Sequence, residues 1–272
     1  MPANRPQIMG ILNLDPHSFF TESRHTNIDN AVVHAEKMVA EGADIIDIGA
    51  EATNVNLENP TTQLEQELER LIPVLERVRA VIDVPISVDT SKPEVMQAAI
   101  AAGADIINDV RALRLPGALK MAAQLNVPVI LMHMQYPEGM PSDIKNDPYD
   151  GDVISYVKHF LQQRIDASLA AGISRENLTI DPGFGGRSFG KTTEQNVELV
   201  TRFHEFHELG YPVLAGVSRK SFIGDILNQD ANERLYGSLA LLFTLIKQGA
   251  NILRVHDVIA TVDVVKMLNH FK

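Results

Sequence analysis

Short apolar runs rich in Ile and Val recur along the whole chain: QIMGILNL (7–14), ADIIDIG (43–49), VPISVD (84–89), ADIINDV (104–110), VPVILMHM (127–134), NLTIDPG (177–183), YPVLAGVS (211–218) and NILRVHD (251–257). They are too short for helices and too continuously apolar for strands with one wet face. They read as parallel strands buried on both faces. Between them lie stretches with apolar residues at helical spacing. NIDNAVVHAEKMVAEG offers Asn27 or Asp29 as N-cap and Gly42 as its stop. TTQLEQELERLIPVLERVRAVI carries Pro73 in its interior, which predicts a kink or a break. SKPEVMQAAIAAG, DVISYVKHFLQQRIDASLAAG, TTEQNVELVTRFHEFHELG, NERLYGSLALLFTLIKQG and DVIATVDVVKMLNHF follow the same pattern.

Strands alternating with helices in this way predict an α/β protein, a (β/α)8 barrel forming a single domain over residues 1–272. The helix ends read AEGAD, AAGAD, AAGIS and KQGAN, repeated turn chemistry in which Gly supplies a left-handed cap. No linker or low-complexity segment interrupts the alternation. The longest pieces without a pattern, 15–27, 50–61 and 135–150, all follow predicted strands, on the face where barrels build their sites.

Composition narrows the class. A chain of 272 residues with 45% hydrophobic and 22% charged residues is that of an ordinary globular protein with a full core. The absence of cysteine removes disulfides and thiolate metal sites. Lys+Arg 24 against Asp+Glu 35 gives a net charge of −11, which argues against a broad nucleic-acid footprint but leaves room for an anionic small substrate. No stretch reaches the ~18 uninterrupted apolar residues of a membrane span, and the N-terminus lacks a secretory pattern. A soluble, cytoplasmic protein without membrane or nucleic-acid partners is expected.

A packed barrel core has no need of polar residues at strand ends, yet almost every strand has one. Asn13 ends the first, Asp47 and Glu51 lie at or past the second, Asp89 ends the third and Asn108 the fourth. Met132, His133 and Gln135 end the fifth, Asp181 the sixth, Lys220 follows the seventh, and Arg254 and His256 end the eighth. Any one of these has a plain structural reading. Strand-end Asp and Asn cap helices, Asp89 before Thr90 and Ser91 above all, and His133 reads as a core histidine. Their convergence on one mouth is harder to explain structurally. Asp89, Asn108, Asp181 and Lys220 offer donors and acceptors suited to a flat heterocycle with a guanidine-like edge. Arg254 and His256 suit a phosphate or pyrophosphate. Asn13 is a neutral oxygen ligand for a Mg2+ carried in with a diphosphate. DPGFGGRSFGK (181–191) matches no phosphate-cradle template. It reads either as a flexible loop or as a wall that lays an aromatic against a planar ligand.

MGILNLDPHSF, GADIIDIGAEAT, SVDTSKPEV, GADIINDV, LMHMQ, DPGFG…FGK, GVSRKSFIG and RVHD occur in this order, and over essentially the whole chain they resemble the dihydropteroate synthases. The resemblance implies a TIM barrel, a homodimer, and Mg2+-dependent joining of 6-hydroxymethyl-7,8-dihydropterin diphosphate to p-aminobenzoate, with release of pyrophosphate. It implies that Asp89, Asn108, Asp181, Lys220 and Met132 hold the pterin and that Asn13 contacts the metal. It further implies that Thr53, Ser221, Arg254 and His256 attend the diphosphate and the aminobenzoate, with Lys220, Arg254, His256 and Asp89 as the catalytic set. In GVSRKSFIG the neighbouring cations Arg219 and Lys220 are expected to complement an anionic transition state.

Three departures lie in the loops. The family's opening T-P-D-S-F-S-D-G-G is here Asp15-Pro16-His17-Ser18-Phe19-Phe20-Thr21-Glu22. The next loop, E-S-T-R-P-G in the family, has Asn54 where the arginine stands, and Asn cannot reproduce a charged bidentate fork. The third, DPGFGFGK, is three residues longer here, with Gly186-Arg187-Ser188 inside it. Arg187 or Arg24 is a candidate replacement cation, and an altered response to sulfonamides is a further expectation. The alternatives are a catalytically impaired pterin-binding paralogue, favoured by Asn54, and a pterin-dependent methyltransferase, disfavoured by GVSRKS and RVH.

Overall fold

The computed structural model describes residues 5–14, 24–51, 63–135, 149, 151–186 and 189–271. Eight parallel strands form one sheet: β1 (Gln7–Asn13), β2 (Ile45–Gly49), β3 (Ile86–Asp89), β4 (Ile106–Asp109), β5 (Val129–Met132), β6 (Leu178–Asp181), β7 (Leu214–Ala215) and β8 (Ile252–Val255). Their order is β6-β5-β4-β3-β2-β1-β8-β7. A parallel bridge between Ile180 and Val213, with Ile180 N–H donating to Pro212 O at 3.0 Å, brings β6 to β7 and closes the barrel. The α-helices among the described residues are α1 (Arg24–Glu41), α2 (Leu64–Arg79), α3 (Pro93–Ala101), α4 (Ala118–Leu125), α5 (Val153–Ala170), α6 (Thr193–Thr201), α7 (Ser221–Leu227), α8 (Leu235–Lys247) and α9 (Val258–Asn269).

The continuous apolar runs separate into two layers because successive strand side chains face opposite ways. Ile46, Ile48, Ile86, Val88, Ile107, Val129, Leu131, Leu178, Ile180, Leu253 and Val255 belong to the outer core, under the helices. Met9, Ile45, Ile130, Leu214 and Ile252 form a separate cluster with Ile106 inside the barrel. Each fully buried side chain of this size contributes about 1.5–3 kcal/mol relative to exposure. Counting by twos from the inner cluster gives the site. Ile45 is followed by Asp47, Ile106 by Asn108, Ile130 by Met132, Ile252 by Arg254, and Met9, after Ile11, by Asn13.

One expectation about helix caps differs from the structure, and of the kink or break expected at Pro73 the break does not occur. Helix α1 begins at Arg24, so Asn27 and Asp29 lie inside it and neither is its cap. Helix α2 runs through Pro73 as one element: Leu71, Val74, Leu75 and Val78 bury a continuous stripe that holds both halves to the barrel. The stops behave as read, with the glycines of AEGAD, AAGAD, AAGIS and KQGAN at φ of 106°, 107°, 96° and 95°. Thr53, Asn54, Arg187, Ser188 and the side chain of Arg24 fall outside the described residues, as does most of the three unpatterned pieces. No helix among the described residues is long and apolar enough to cross a membrane.

Candidate active site

Arg254 crosses the barrel mouth. From β8 its Nε donates to Asp47 Oδ2 on β2 at 2.6 Å and its Nη2 to Asp89 Oδ2 on β3 at 2.8 Å. Asp47 is fully buried and also accepts from Asn108 Nδ2, at 3.3 and 3.2 Å to its two oxygens. The amide N–H2 of Asn108 is thereby committed, leaving its oxygen as an acceptor toward the mouth. Asp181 Oδ1 takes the Gly183 N–H at 2.7 Å, which leaves Oδ2 on the pocket side. Asn108, Met132, Asp181, Lys220 and Arg254 line one narrow cavity of about 20 Å3, and apolar groups that include Phe184 and Phe189 complete its wall.

Burial sets the electrostatics of this group. It pushes the Asp89 carboxyl up to about 7, against the pull of Arg254, and Asp181 up to about 6, against the Gly183 N–H and the nearby cations. It pushes Lys220 down to about 8, with Arg254 adding to the effect and Asp181 opposing it. For Arg254, burial works in the lowering direction, but Asp47 and Asp89 outweigh it and hold the guanidinium above its ordinary value. The mouth therefore presents carboxyls poised near neutrality beside a guanidinium that stays charged.

GVSRKSFIG divides its cations. The Lys220 Nζ lies 4.1 Å from the centroid of the Phe189 ring, at the cavity. Arg219 has φ of 56° and points away, donating to both oxygens of Asp257 at 2.8 and 2.6 Å. Its N–H donates to Ser238 Oγ at 2.9 Å. The expectation that both cations serve the reacting charge is corrected: Arg219 is an anchor, and its left-handed backbone turns Lys220 inward. Ser221 opens α7, exposed, and a Cβ added at Gly186 would come within 2.6 Å of its Oγ, so the loop after β6 passes over it.

His256 is exposed beyond β8, its Nδ1 3.1 Å from Ser218 Oγ. Desolvation against the strand and the charge of Arg254 lower its pKa to about 4. Both effects favour the neutral ring, which still has a hydrogen-bonding Nε2 to offer a diphosphate. Asn13 ends β1 with an exposed side chain, opposite Gly49. Asp89 is not a helix cap; Lys92 holds the N-cap position of α3, and the Thr90 Oγ1 accepts its N–H at 3.3 Å.

The Gly-rich loop uses its two aromatics differently. Phe184 stacks on Phe203 in the core, with ring centroids 6.2 Å apart, whereas Phe189 packs with Val110, Met132 and Met134 at the cavity. Both rings reach the cavity wall, Phe189 opposite the Lys220 ammonium and Phe184 with the core ring of Phe203 behind it.

Asp47, within β2, and Glu51, just past its end, carried no expected role. Asp47 orients Arg254 and Asn108, and its signal was a charge two places after an inward isoleucine. Glu51 binds Arg111 Nη2 at 3.0 Å and Lys92 Nζ at 3.2 Å, while Lys92 also binds the buried Glu67 at 2.6 Å. This network ties the ends of β2, β3 and β4 to α2. Its partners lie on different elements, and no local pattern announced it.

The model of a protein family described as pterin binding enzyme matches residues 9–256. The chain is 47% identical to the dihydropteroate synthase of Haemophilus influenzae over 262 residues, 96% of this chain and 92% of that protein. Among solved structures, the Xanthomonas albilineans dihydropteroate synthase with 4-aminobenzoic acid superposes with a TM-score of 0.88 at 46% identity, covering 98% of this chain and 93% of the other. The same enzyme in complex with 7,8-dihydropteroate gives a TM-score of 0.86 at 46% identity, covering 98% and 94%. The match extends from the first strand to the last and takes in every inward polar residue of the mouth. The chain therefore belongs to the pterin binding enzyme family and, within it, to the dihydropteroate synthases.

Proposed function

We infer that the chain joins 6-hydroxymethyl-7,8-dihydropterin diphosphate to p-aminobenzoate, forming 7,8-dihydropteroate and pyrophosphate. The observation that carries this reading is the convergence of Asn108, Asp181, Lys220 and Arg254 on one cavity, with Asp89 held beside it by Arg254, in a chain similar along its length to these synthases. The free oxygens of Asn108 and Asp181, with Asp89 beside them, are acceptors for the N–H and NH2 groups of a pterin edge. Met132 lies along the same wall. The bond between the exocyclic carbon and the diphosphate oxygen breaks, and its electron pair leaves with pyrophosphate. The carboxylates at the ring edge stabilise the positive charge left on the pterin, in surroundings too dry to screen them. The arylamine nitrogen then bonds to that carbon and gives up one proton. Lys220, the remaining Nη1 of Arg254 and the neutral His256 are donors for the diphosphate, and Ser221 and Thr53 attend the diphosphate and aminobenzoate.

A Mg2+ requirement is part of the proposal. Among the described residues no group of three His, Asp or Glu side chains could cage a metal, whereas Asn13 offers a single carboxamide oxygen at the mouth. That donor set fits an ion that arrives with the diphosphate and keeps most of its own ligands. Asn13 would hold it, and bound Mg2+ would neutralise charge on the leaving group.

Pyrophosphate release from the dihydropterin diphosphate, measured with Mg2+ and with or without p-aminobenzoate, tests the reading. Release that depends on p-aminobenzoate is expected. No release alongside clear pterin binding by calorimetry would instead establish a binding protein, the alternative that Asn54 favours. A cytoplasmic location belongs to the same proposal, and fractionation of cells expressing the tagged chain checks it. So does a homodimer: α8 buries Ser238, Leu242 and Leu245 against its own barrel while Tyr236 and Phe243 stand outside it, 81% and 48% exposed.

A further inference from the structure

Lys191 lies buried at the end of the loop that follows β6, and among the described residues no carboxylate is within ion-pair distance of it. Its Nζ donates to the Gly183 carbonyl at 2.7 Å and meets His133 Nδ1 at 2.8 Å. For His133 to accept there, its ring proton must sit on Nε2. Burial, and next the charge of Lys191, lower the His133 pKa well below its usual value, so the ring is neutral. Nε2 is itself buried without a hydrogen-bond partner, with Phe160 edge-on at a centroid distance of 4.8 Å. A buried donor left unpaired opposes folding. What it preserves is an acceptor for Lys191.

From Lys191 the contacts lead into the pocket. Gly183 accepts from Lys191 through its carbonyl and donates its N–H to Asp181 Oδ1 at 2.7 Å. Gly183 has φ of 72°, and a Cβ there would come within 1.9 Å of the His133 carbonyl oxygen, so this backbone rests directly on the end of β5. The His133 N–H donates to Asp181 O at 2.9 Å, which closes the ring of contacts. At the same end of the loop, Phe189 sits two residues before Lys191 and faces the Lys220 ammonium at 4.1 Å.

We propose that Lys191 is a positioning residue for the pterin half of the reaction. Held by His133, it acts through Gly183 to fix the Asp181 carboxylate and the loop that sets Phe189 against Lys220. The inference rests on the synthase reading above. A side chain that merely filled this space would be apolar, since burial disfavours an ammonium and pushes the Lys191 pKa down to about 7. The groups that face it are Asp181 from β6, Lys220 ahead of α7, His133 from β5 and the ring of Tyr149 at 6.0 Å. Its charge is also among those that hold down the burial-raised pKa of Asp181.

Two substitutions separate hydrogen bonding from charge. Lys191→Met keeps the length and removes both. Lys191→Gln keeps an N–H2 for Gly183 and His133 and removes only the charge. In Lys191→Met the KM for the dihydropterin diphosphate rises about tenfold, as expected for the loss of a buried hydrogen bond. The KM for p-aminobenzoate rises by less than the pterin KM, because the loop meets the Ser221 side at Gly186 and not at Lys191. Lys191→Gln recovers most of the pterin KM, yet in both variants the acid limb of the pH profile moves to higher pH. Amide exchange over residues 183–190 accelerates in the Met variant and not in the Gln variant. Unchanged pterin KM and unchanged exchange in Lys191→Met overturn the proposal. So does an equal rise in both KM values with a lower melting temperature that Gln fails to restore. Should the unsubstituted chain release no pyrophosphate, the synthase reading fails. Exchange over 183–190, and titration of each variant with 6-hydroxymethylpterin, still decide for or against Lys191.

Discussion

Taking a carboxylate out of water costs stability whenever it is ionised, and Asp181 carries that cost for the sake of its pocket-facing oxygen. Its pKa of about 6 lies above the unfolded value, so the folded state holds the proton more tightly. Stability from this group is therefore full below the unfolded pKa and falls as pH rises to about 6. Asp181→Asn, which keeps the acceptor for Gly183, is expected to stabilise the fold at pH 8 by about 1–3 kcal/mol and to do nothing at pH 4. It should lose pterin binding at both. Thermal melts at the two pH values check the first statement and calorimetry the second. The same groups shape activity. Asp181 must be ionised and Lys220 charged, so kcat/KM for the pterin should be bell-shaped, with limbs near 6 and 8. Lys220→Met should remove the alkaline limb along with most of the activity. Arg254→Met strands Asp47 and Asp89 in the barrel, at a cost of about 3–5 kcal/mol by urea unfolding at pH 8. The loss shrinks at pH 5, where Asp89 takes up a proton. Arg254 was legible in the sequence as a mouth residue. Its commitment to Asp47 and Asp89 was not, because the partners lie 207 and 165 positions away.

At the scale of elements, each strand carries two messages in one short apolar run. The outer set matches the helices, and the inner set ends in a polar residue once the barrel opens to water. Period-two counting separates them only after one inward residue is known, which explains why the runs looked uniformly apolar. Helix α2 makes a cleaner test. A proline inside a helix forgoes one N–H donor, and the buried Leu71, Val74, Leu75 and Val78 stripe keeps the helix continuous through it. Pro73→Ala should raise stability by about 1 kcal/mol, visible as a higher urea midpoint with an unchanged slope. A lower midpoint would show that Pro73 is shaped into its surroundings and not merely tolerated. The Arg219–Asp257 pair belongs to this scale as well. It joins the turn before α7 to the turn before α9, so that the residue after Arg219 faces the cavity.

For the whole molecule, the barrel gathers residues from every part of the chain at one mouth, while its outer helices remain available for association. If Tyr236 and Phe243 cover a second copy, Phe243→Glu should shift sedimentation from dimer to monomer without changing the pterin cavity, which lies inside the barrel. A monomeric unsubstituted chain at micromolar concentration would sink the dimer proposal. Chelation with EDTA is expected to stop pyrophosphate release yet leave 6-hydroxymethylpterin binding intact, since the proposed pterin contacts of Asp89, Asn108 and Asp181 need no metal. Loss of both on chelation would place the ion in the pterin pocket and remove Asn13 from its role.

The sequence by itself determined the barrel, its strand and helix order, the glycine stops and the identity of the mouth residues Asp89, Asn108, Met132, Asp181, Lys220 and Arg254. These follow from local periodicity, turn chemistry and position at the end of a strand, all of which are properties of neighbouring residues. Only the tertiary structure decided how the charges pair. It committed Arg254 to Asp47, turned Arg219 outward to Asp257 and left His256 neutral. It placed Lys191 against His133 beneath the Asp181 loop. Electrostatic pairing and desolvation depend on distance through space and on exclusion of water, and a barrel brings residues far apart in the chain within 3 Å of one another.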